Sequence, residues 1–383
     1  MNKLPQMDFP LDTIKLNLLY EEHGSRATIG QDTVDAAETT DTPNASTDGQ
    51  GDTRPAALPK ITAAFTEFSF PPAPAERPYL ISSVVLSADG KMAFEDISDG
   101  PAIAKQNRID PNGALSDFWV LNALRASSDA VIIGAGTLNS EANTSGHIFD
   151  PELIEQRLAS RRTAGKQGPS GEVSSAGEEK PAGKKLEALN RRHPINIIVS
   201  FDGRDIPLDH FLFNIDPAEQ LPTAVMTSPA GGEYLLANFS RTVRVYHSTT
   251  SPYTDRSNSG LTPETQAAIL RDLDPHSGVL PVITTGAENR PDTIDFLALL
   301  HHLGLQLVLV ESPSYTSHLM HLGCMDEAFV NYSMIYAGGT RSPGSGLPFT
   351  HNSHPHVKLQ ALALHSASFI YTRQRLYYGI GEE

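Results

Sequence analysis

Leu124-Arg125-Ala126-Ser127-Ser128-Asp129-Ala130-Val131-Ile132-Ile133-Gly134-Ala135-Gly136-Thr137 is the stretch that decides the fold. It reads as the end of an amphipathic helix, a buried strand, and a small-residue turn closed by a hydroxyl. The run Ala130-Val131-Ile132-Ile133 is continuous and β-branched, which suits a strand covered on both faces. Gly134 and Gly136 end it, and glycines let a ligand approach the backbone closely. Open α/β sheets bind ligands beyond the carboxyl ends of their strands, so this turn marks a candidate site. The plain alternative is a buried strand that happens to end in glycine.

Outward from this block, strands and helices alternate. Residues 79–87 read as a strand and 115–127 as a helix with Phe118, Leu121, Ala123 and Leu124 facing inward, and Trp119 beside them. Further strands are expected at 195–201, 223–226, 243–246, 279–285, 305–310, 326–332, 357–365 and 368–378. Thr262 caps a helix with Pro263 at its first position, Asp292 or Thr293 caps the next, and Gly304 stops it. The alternation predicts an α/β fold with a mostly parallel sheet flanked by helices and an antiparallel C-terminal edge.

Composition narrows the function. Lys plus Arg number 29 against 45 Asp plus Glu, a net charge of −16 with no basic stripe, which argues against nucleic-acid binding. The single cysteine, Cys324, excludes an internal disulfide and fits a reducing compartment. No stretch is long enough to span a bilayer, so a cytoplasmic protein without membrane partners is expected. Residues 1–76 read as an N-terminal extension, largely disordered or loosely docked, in which 1–20 hold enough leucines to dock a short segment. Residues 21–59 bury too little surface to offset their ordering entropy. Residues 77–383 form the folded domain, with a flexible insertion at about 159–192 that contains Gly168-Pro169-Ser170-Gly171.

Each polar motif has two readings. Asp89-Gly90 ends a strand and is either a site loop or a plain hairpin turn. Arg125, at the end of a helix aimed at the glycine turn, is either a bidentate clamp for an anion or a solvated helix-end cation. Glu311 follows four aliphatic residues and is either a site carboxylate or a solvated strand end. His351-x-x-His354-x-His356 has metal-like spacing but no accompanying carboxylate or cysteine, so no metal is expected.

Taken together, S-x-D-G-K-x-A at 87–93, the 124–137 block and the strand ending at Glu311 resemble the pyrimidine-reductase domain of riboflavin biosynthesis. That domain forms the C-terminal half of the bacterial deaminase–reductase RibD and stands alone in archaea and fungi. The resemblance covers residues 77–378 apart from the insertion, and Gly323-x-x-Asp326-Glu327 supports the same register. It implies a single domain like dihydrofolate reductase, a homodimer, and NADPH as cofactor. The implied substrate is a phosphoribosylamino-pyrimidine whose ribosyl group is reduced by hydride to a ribityl chain. The deaminase signature needs several cysteines and cannot be present.

The resemblance also implies site residues. Leu86 takes the place of an alanine bordering the nicotinamide, and Arg125 matches a substrate-binding arginine. Gly134, Gly136 and Thr137 match the cofactor-binding G-x-G-T turn, and Glu141 replaces a cofactor-contacting aspartate. Glu311 matches a glutamate that faces substrate and is the candidate proton donor, with a solvent-fed water the alternative. The family's E-G-G loop is Glu311-Ser312-Pro313 here, so cofactor phosphate would meet Ser312, Pro313, Ser314 and Tyr315 at a helix start, one amide donor short. Because the matching bond in dihydrofolate reductases is cis, the Ser312–Pro313 bond is expected cis, the alternative being an ordinary trans bond at a helix's first turn. Two further family segments are replaced by Asn107-Arg108-Ile109-Asp110-Pro111 and Ser140-Glu141-Ala142-Asn143. A different heterocyclic substrate, or a non-catalytic protein binding a nucleotide or a partner, is therefore the alternative function.

Overall fold

The computed structural model describes residues 2–22, 58–97, 99–164, 186, 189, 192–248, 262–344 and 346–380. Strands β1 (Asn17–Glu21), β2 (Tyr79–Ser87), β3 (Ala130–Gly134), β4 (Ile195–Val199), β5 (Thr223–Thr227), β6 (Thr242–His247), β7 (Val279–Thr284), β8 (Leu307–Val310), β9 (Glu327–Ser333), β10 (His356–His365) and β11 (Phe369–Tyr377) form one sheet. Its order is β1-β10-β11-β9-β2-β8-β3-β4-β5-β7-β6. Every pair from β9 to β6 is parallel, while β1, β10, β11 and β9 pair antiparallel. The result, among the described residues, is a mixed sheet of eleven strands whose antiparallel edge holds β1, β10 and β11.

Helices cover both faces. Those bounded among the described residues include α1 (Leu11–Ile14), α2 (Pro59–Ala64), α3 (Ala102–Lys105), α4 (Gly113–Ser127), α5 (Ala135–Ser140), α6 (Pro151–Ala164), α7 (Pro229–Asn238), α8 (Pro263–Asp272), α9 (Thr293–His302) and α10 (Pro313–His321). Alternation along each strand feeds two cores. Val131, Ile133 and Leu309 pack with Trp119 and Leu124 of α4 on one face. Ala130, Ile132, Val308 and Val310 pack with Ile269, Phe296 and Leu319 on the other. Among the described residues no helix is long and apolar enough to cross a membrane.

The local signals act through hydrogen bonds. Thr262 caps α8 by accepting from the Thr265 amide, and Asp292 caps α9 by accepting from the Ile294 and Asp295 amides. Gly304, at φ 97°, ends α9 in a conformation that a side chain would strain. The strand expected from 305 starts at Leu307, because the Asp129 carboxylate takes the Gln306 and Leu307 amides at 2.8 and 3.1 Å. Asp326 and Glu327 have structural partners: Asp326 binds Arg77 through two hydrogen bonds of 2.6 and 2.8 Å, and Glu327 binds Arg373 and Tyr79.

The N-terminal segment is built into the sheet. β1 adds to β10 at the edge, Phe9, Ile14 and Leu16 are buried, and Ile61, Phe65 and Phe70 join the same core. Of the stretch expected to be disordered, residues 23–57 lie outside the described residues. Of the expected insertion, 159–164 continue α6, where Arg161 binds Asp129 at 2.9 Å, and most of the remainder lies outside the described residues.

Candidate active site

Connections diverge at the centre of the sheet. From β3 the chain moves to its neighbour β4, whereas from β8 it crosses β2 in the opposite direction to reach β9. The carboxyl ends of these two adjacent strands therefore form a switch point, the usual ligand position in such sheets. β8 leaves a notch in the sheet there by stopping early. Val310 is level with Ser82 and Ile132, while β2 runs on to Ser87. Of the residues predicted from the sequence, Arg125, Glu311 and Glu141 are neighbours here, as are Gly134 and Ser312, while Tyr315 packs against the second core.

Arg125 and Glu311 meet here. Arg125 Nε and Nη2 donate to Glu311 Oε1 and Oε2 at 2.7 and 2.6 Å, and Nη1 donates to the His147 carbonyl at 2.9 Å. The pair is largely dry, with side-chain exposures of 3% and 12%. Arg125 is thus neither a solvated helix-end residue nor an unengaged anion clamp, since its charge is balanced inside the protein. Beneath it lies His147, whose imidazole is held down to about 3 by burial and by the Arg125 charge. The neutral ring donates from Nε2 to the Pro5 carbonyl and accepts at Nδ1 from Ser145, tying the N-terminal segment to the site.

The glycine turn touches the second loop directly. A Cβ on Gly134 would lie 2.5 Å from Ser312 Oγ, so only glycine permits this approach. On Gly136 a Cβ would meet nothing within 4 Å, and the half-buried Thr137 follows it. Gly134→Ala is therefore expected to displace Ser312 and cost about 1–2 kcal/mol in a denaturant melt. Gly136→Ala is expected to be neutral or stabilising by up to about 1 kcal/mol, as glycine is a poor helix residue. Glu141 closes this side. Burial, with the Asp99 and Glu311 charges, pushes its carboxyl above the usual range.

The Ser312–Pro313 bond is trans, not cis as expected. Pro313 occupies the first position of α10, where its fixed φ suits a helix, and Ser312 caps the helix by accepting from the Tyr315 amide at 3.4 Å. The helix therefore runs from Pro313 to His321. Its anion-binding capacity is small. Pro313 has no amide, Tyr315 is committed to the cap, and Thr316 donates to the Ser312 carbonyl, which leaves Ser314.

Leu86 stands on β2, opposite Tyr332 of β9 and four residues beyond the level where β8 stops. The following turn is held by side-chain hydrogen bonds. Ser87 and the Ala337 and Gly338 amides donate to Asp89, holding its carboxyl down to about 2, and Lys91 reaches Ser342 at 3.1 Å. His354 and His356 have rings 4.9 Å apart, and no group of three metal-donor residues assembles among the described residues.

One polar group escaped the sequence reading. Asp117 precedes Arg125 by two helical turns on the same face of α4. The Asn331 Nδ2 amide donates to its Oδ1 at 2.7 Å, and burial pushes the carboxyl up to about 6. The i, i+4, i+8 spacing of Asp117, Leu121 and Arg125 is the signal that marks it. The two small described cavities, about 10 and 40 Å³, are lined by none of these residues.

No protein-family model matches the chain, and no curated protein matches it. Solved structures do. The chain is similar to a pyrimidine reductase-like protein from Corynebacterium diphtheriae, at 16% identity and a TM-score of 0.42, over 78% of this chain and 92% of that one. It is similar to a diaminohydroxyphosphoribosylaminopyrimidine deaminase/5-amino-6-(5-phosphoribosylamino)uracil reductase from Thermotoga maritima, at 15% identity and a TM-score of 0.42. That match covers 78% of this chain and 56% of the longer protein. A riboflavin biosynthesis reductase from Saccharomyces cerevisiae matches at 12% identity and a TM-score of 0.39, over 79% of this chain and 92% of that one. The likeness is one of overall α/β architecture.

Proposed function

We propose that the chain is an NADPH-dependent reductase of the riboflavin pyrimidine-reductase type, with a dihydrofolate-reductase-like domain. The observation that carries this reading is the meeting of the Gly134–Thr137 turn and the Ser312 loop where the strand connections diverge. In this reading the open backbone at Gly136, with Thr137 and Glu141, holds the dinucleotide, and the Ser314 amide meets a phosphate. Leu86 borders the nicotinamide, and bound NADPH supplies the hydride. The Arg125–Glu311 pair presents a fixed carboxylate to a small pyrimidine substrate rather than a free cation to its phosphate.

NADPH at millimolar concentration is expected to raise the melting temperature, because a ligand that binds only the folded state stabilises it. Gly136→Ala is expected to reduce that shift without lowering the melting temperature of the free protein. No shift with NADPH or NADH overturns the cofactor assignment. A second reading, a nucleotide- or partner-binding protein without turnover, is favoured by the missing Pro313 amide and by the engaged Arg125. Nucleotide binding without NADPH oxidation across a panel of aminopyrimidine ribosides would select it.

A further inference from the structure

Residues 147–149 join the N-terminal segment to the candidate site. Toward the site, the His147 carbonyl accepts from Arg125, and the Phe149 amide donates to Asn122 Oδ1 at 2.6 Å. Both partners stand on α4. Toward the N-terminus, His147 Nε2 donates to the Pro5 carbonyl at 2.9 Å, and the Phe149 carbonyl accepts from the Met7 amide at 3.0 Å. Leu4 and Phe9, on either side of these contacts, are buried.

Two histidines secure this junction in their neutral form. The Ile148 amide donates to His193 Nδ1 at 3.3 Å, so that nitrogen has to keep its lone pair. A proton there would set two donors against each other. His147 Nδ1 meets Ser145 Oγ at 2.6 Å and accepts its hydrogen, because Nε2 already carries the hydrogen given to Pro5. The rings stand edge to face at 6.0 Å, in residues 0% and 2% exposed. The charged groups turned toward them are Arg125 of α4, Arg157 of α6 and Arg192 ahead of β4. Glu311, Asp129 and Asp150 are ion-paired with Arg125, Arg161 and Lys60. Burial, reinforced by the neighbouring cations, holds the His147 imidazole down to about 3 and pushes His193 well below the usual range.

We propose that residues 2–9 are an acid-released latch on the candidate site, opened by protonation of His147 and His193. Above about pH 6.5 a free histidine is neutral, so closing the latch costs no proton. Below that, the released form binds protons that the closed form refuses. Each histidine then favours release by about tenfold per pH unit, for His147 down to about pH 3. Opening withdraws Pro5 and Met7 from residues 147–149 and loosens the carbonyl that holds Arg125. The latch stands independently of the reductase reading, because its readout needs neither cofactor nor turnover.

Hydrogen exchange of the full chain from pH 7 to pH 4.5, read by mass spectrometry and corrected for intrinsic rates, tests it. Protection of residues 2–9 is expected to fall at least about tenfold per pH unit below pH 6, while that of β3 holds. His147→Gln combined with His193→Asn keeps a donor for Pro5 and an acceptor for Ile148 but has no charge to gain. Protection of residues 2–9 in this variant is expected to stay level across the range. His193→Asn alone is expected to halve the logarithmic slope. Protection independent of pH in the wild type, or an undiminished slope in either variant, overturns the latch. Loss of protection in residues 2–9 and β3 together also overturns it, since that is global acid unfolding.

Discussion

Glu311→Ala is expected to destabilise the protein by about 3–5 kcal/mol, read as a fall in the urea midpoint at unchanged slope. The cause is what the substitution leaves behind. Arg125 is 3% exposed and gives two of its hydrogen bonds to Glu311, so truncation strands a guanidinium away from water. Only the His147 carbonyl would remain as a described partner. Removing both charges should cost much less. Arg125→Met combined with Glu311→Leu is expected to recover most of the loss, since apolar residues of similar volume replace buried pairs at little cost. A loss below about 1 kcal/mol for Glu311→Ala would mean that water screens the pair as it does at a surface. The result also governs how activity data are read. An inactive Glu311→Ala enzyme says nothing of chemistry unless it is shown to be folded, whereas Glu311→Gln keeps an acceptor for Arg125.

The sequence carried the local decisions and missed the distant partnerships. Thr262, Asp292 and Gly304 act within one helical turn, so each was legible as a cap or stop and behaves as one. The 130–133 run was legible because its residues are apolar on both faces of the sheet. Arg125 and Glu311 were both singled out, but 186 residues separate them, and no local pattern says that they bind each other. Asp117 and Asn331 are 214 apart, and each alone looks like an ordinary polar residue on a helix or strand. At Ser312–Pro313 two local rules competed. Proline's fitness for the first helical position, with serine as cap, prevailed over the loop geometry that the family resemblance implied. β1 shows a third limit. An edge strand of five residues borrows its register from β10, which lies more than three hundred residues away.

Asp117→Asn is expected to make the protein more stable at pH 7, by up to about 3 kcal/mol. Burial raises the Asp117 carboxyl from the usual 3.8 to about 6, and that gap corresponds to about 3 kcal/mol of charge held unfavourably in the folded state. Between about pH 4 and 6 the folded protein keeps this proton while the unfolded chain has already released it. Wild-type stability therefore falls as pH rises through that window and carries the full deficit above it. Asparagine has no proton to lose, so this part of its advantage is near zero below pH 4 and complete by pH 7. It also adds a donor: an amide at position 117 can give a hydrogen to Asn331 Oδ1, which has no partner in the wild type. Urea unfolding of both proteins at pH 4 and pH 7 checks this. An advantage equal at both pH values would locate the gain in the new hydrogen bond alone, and a loss at pH 7 would show that the carboxylate is not dehydrated. A gain confined to neutral pH would mean that the fold tolerates an unpaired carboxylate against its own stability. That cost is characteristic of residues held for a ligand, because sites shaped for binding are seldom optimal for folding.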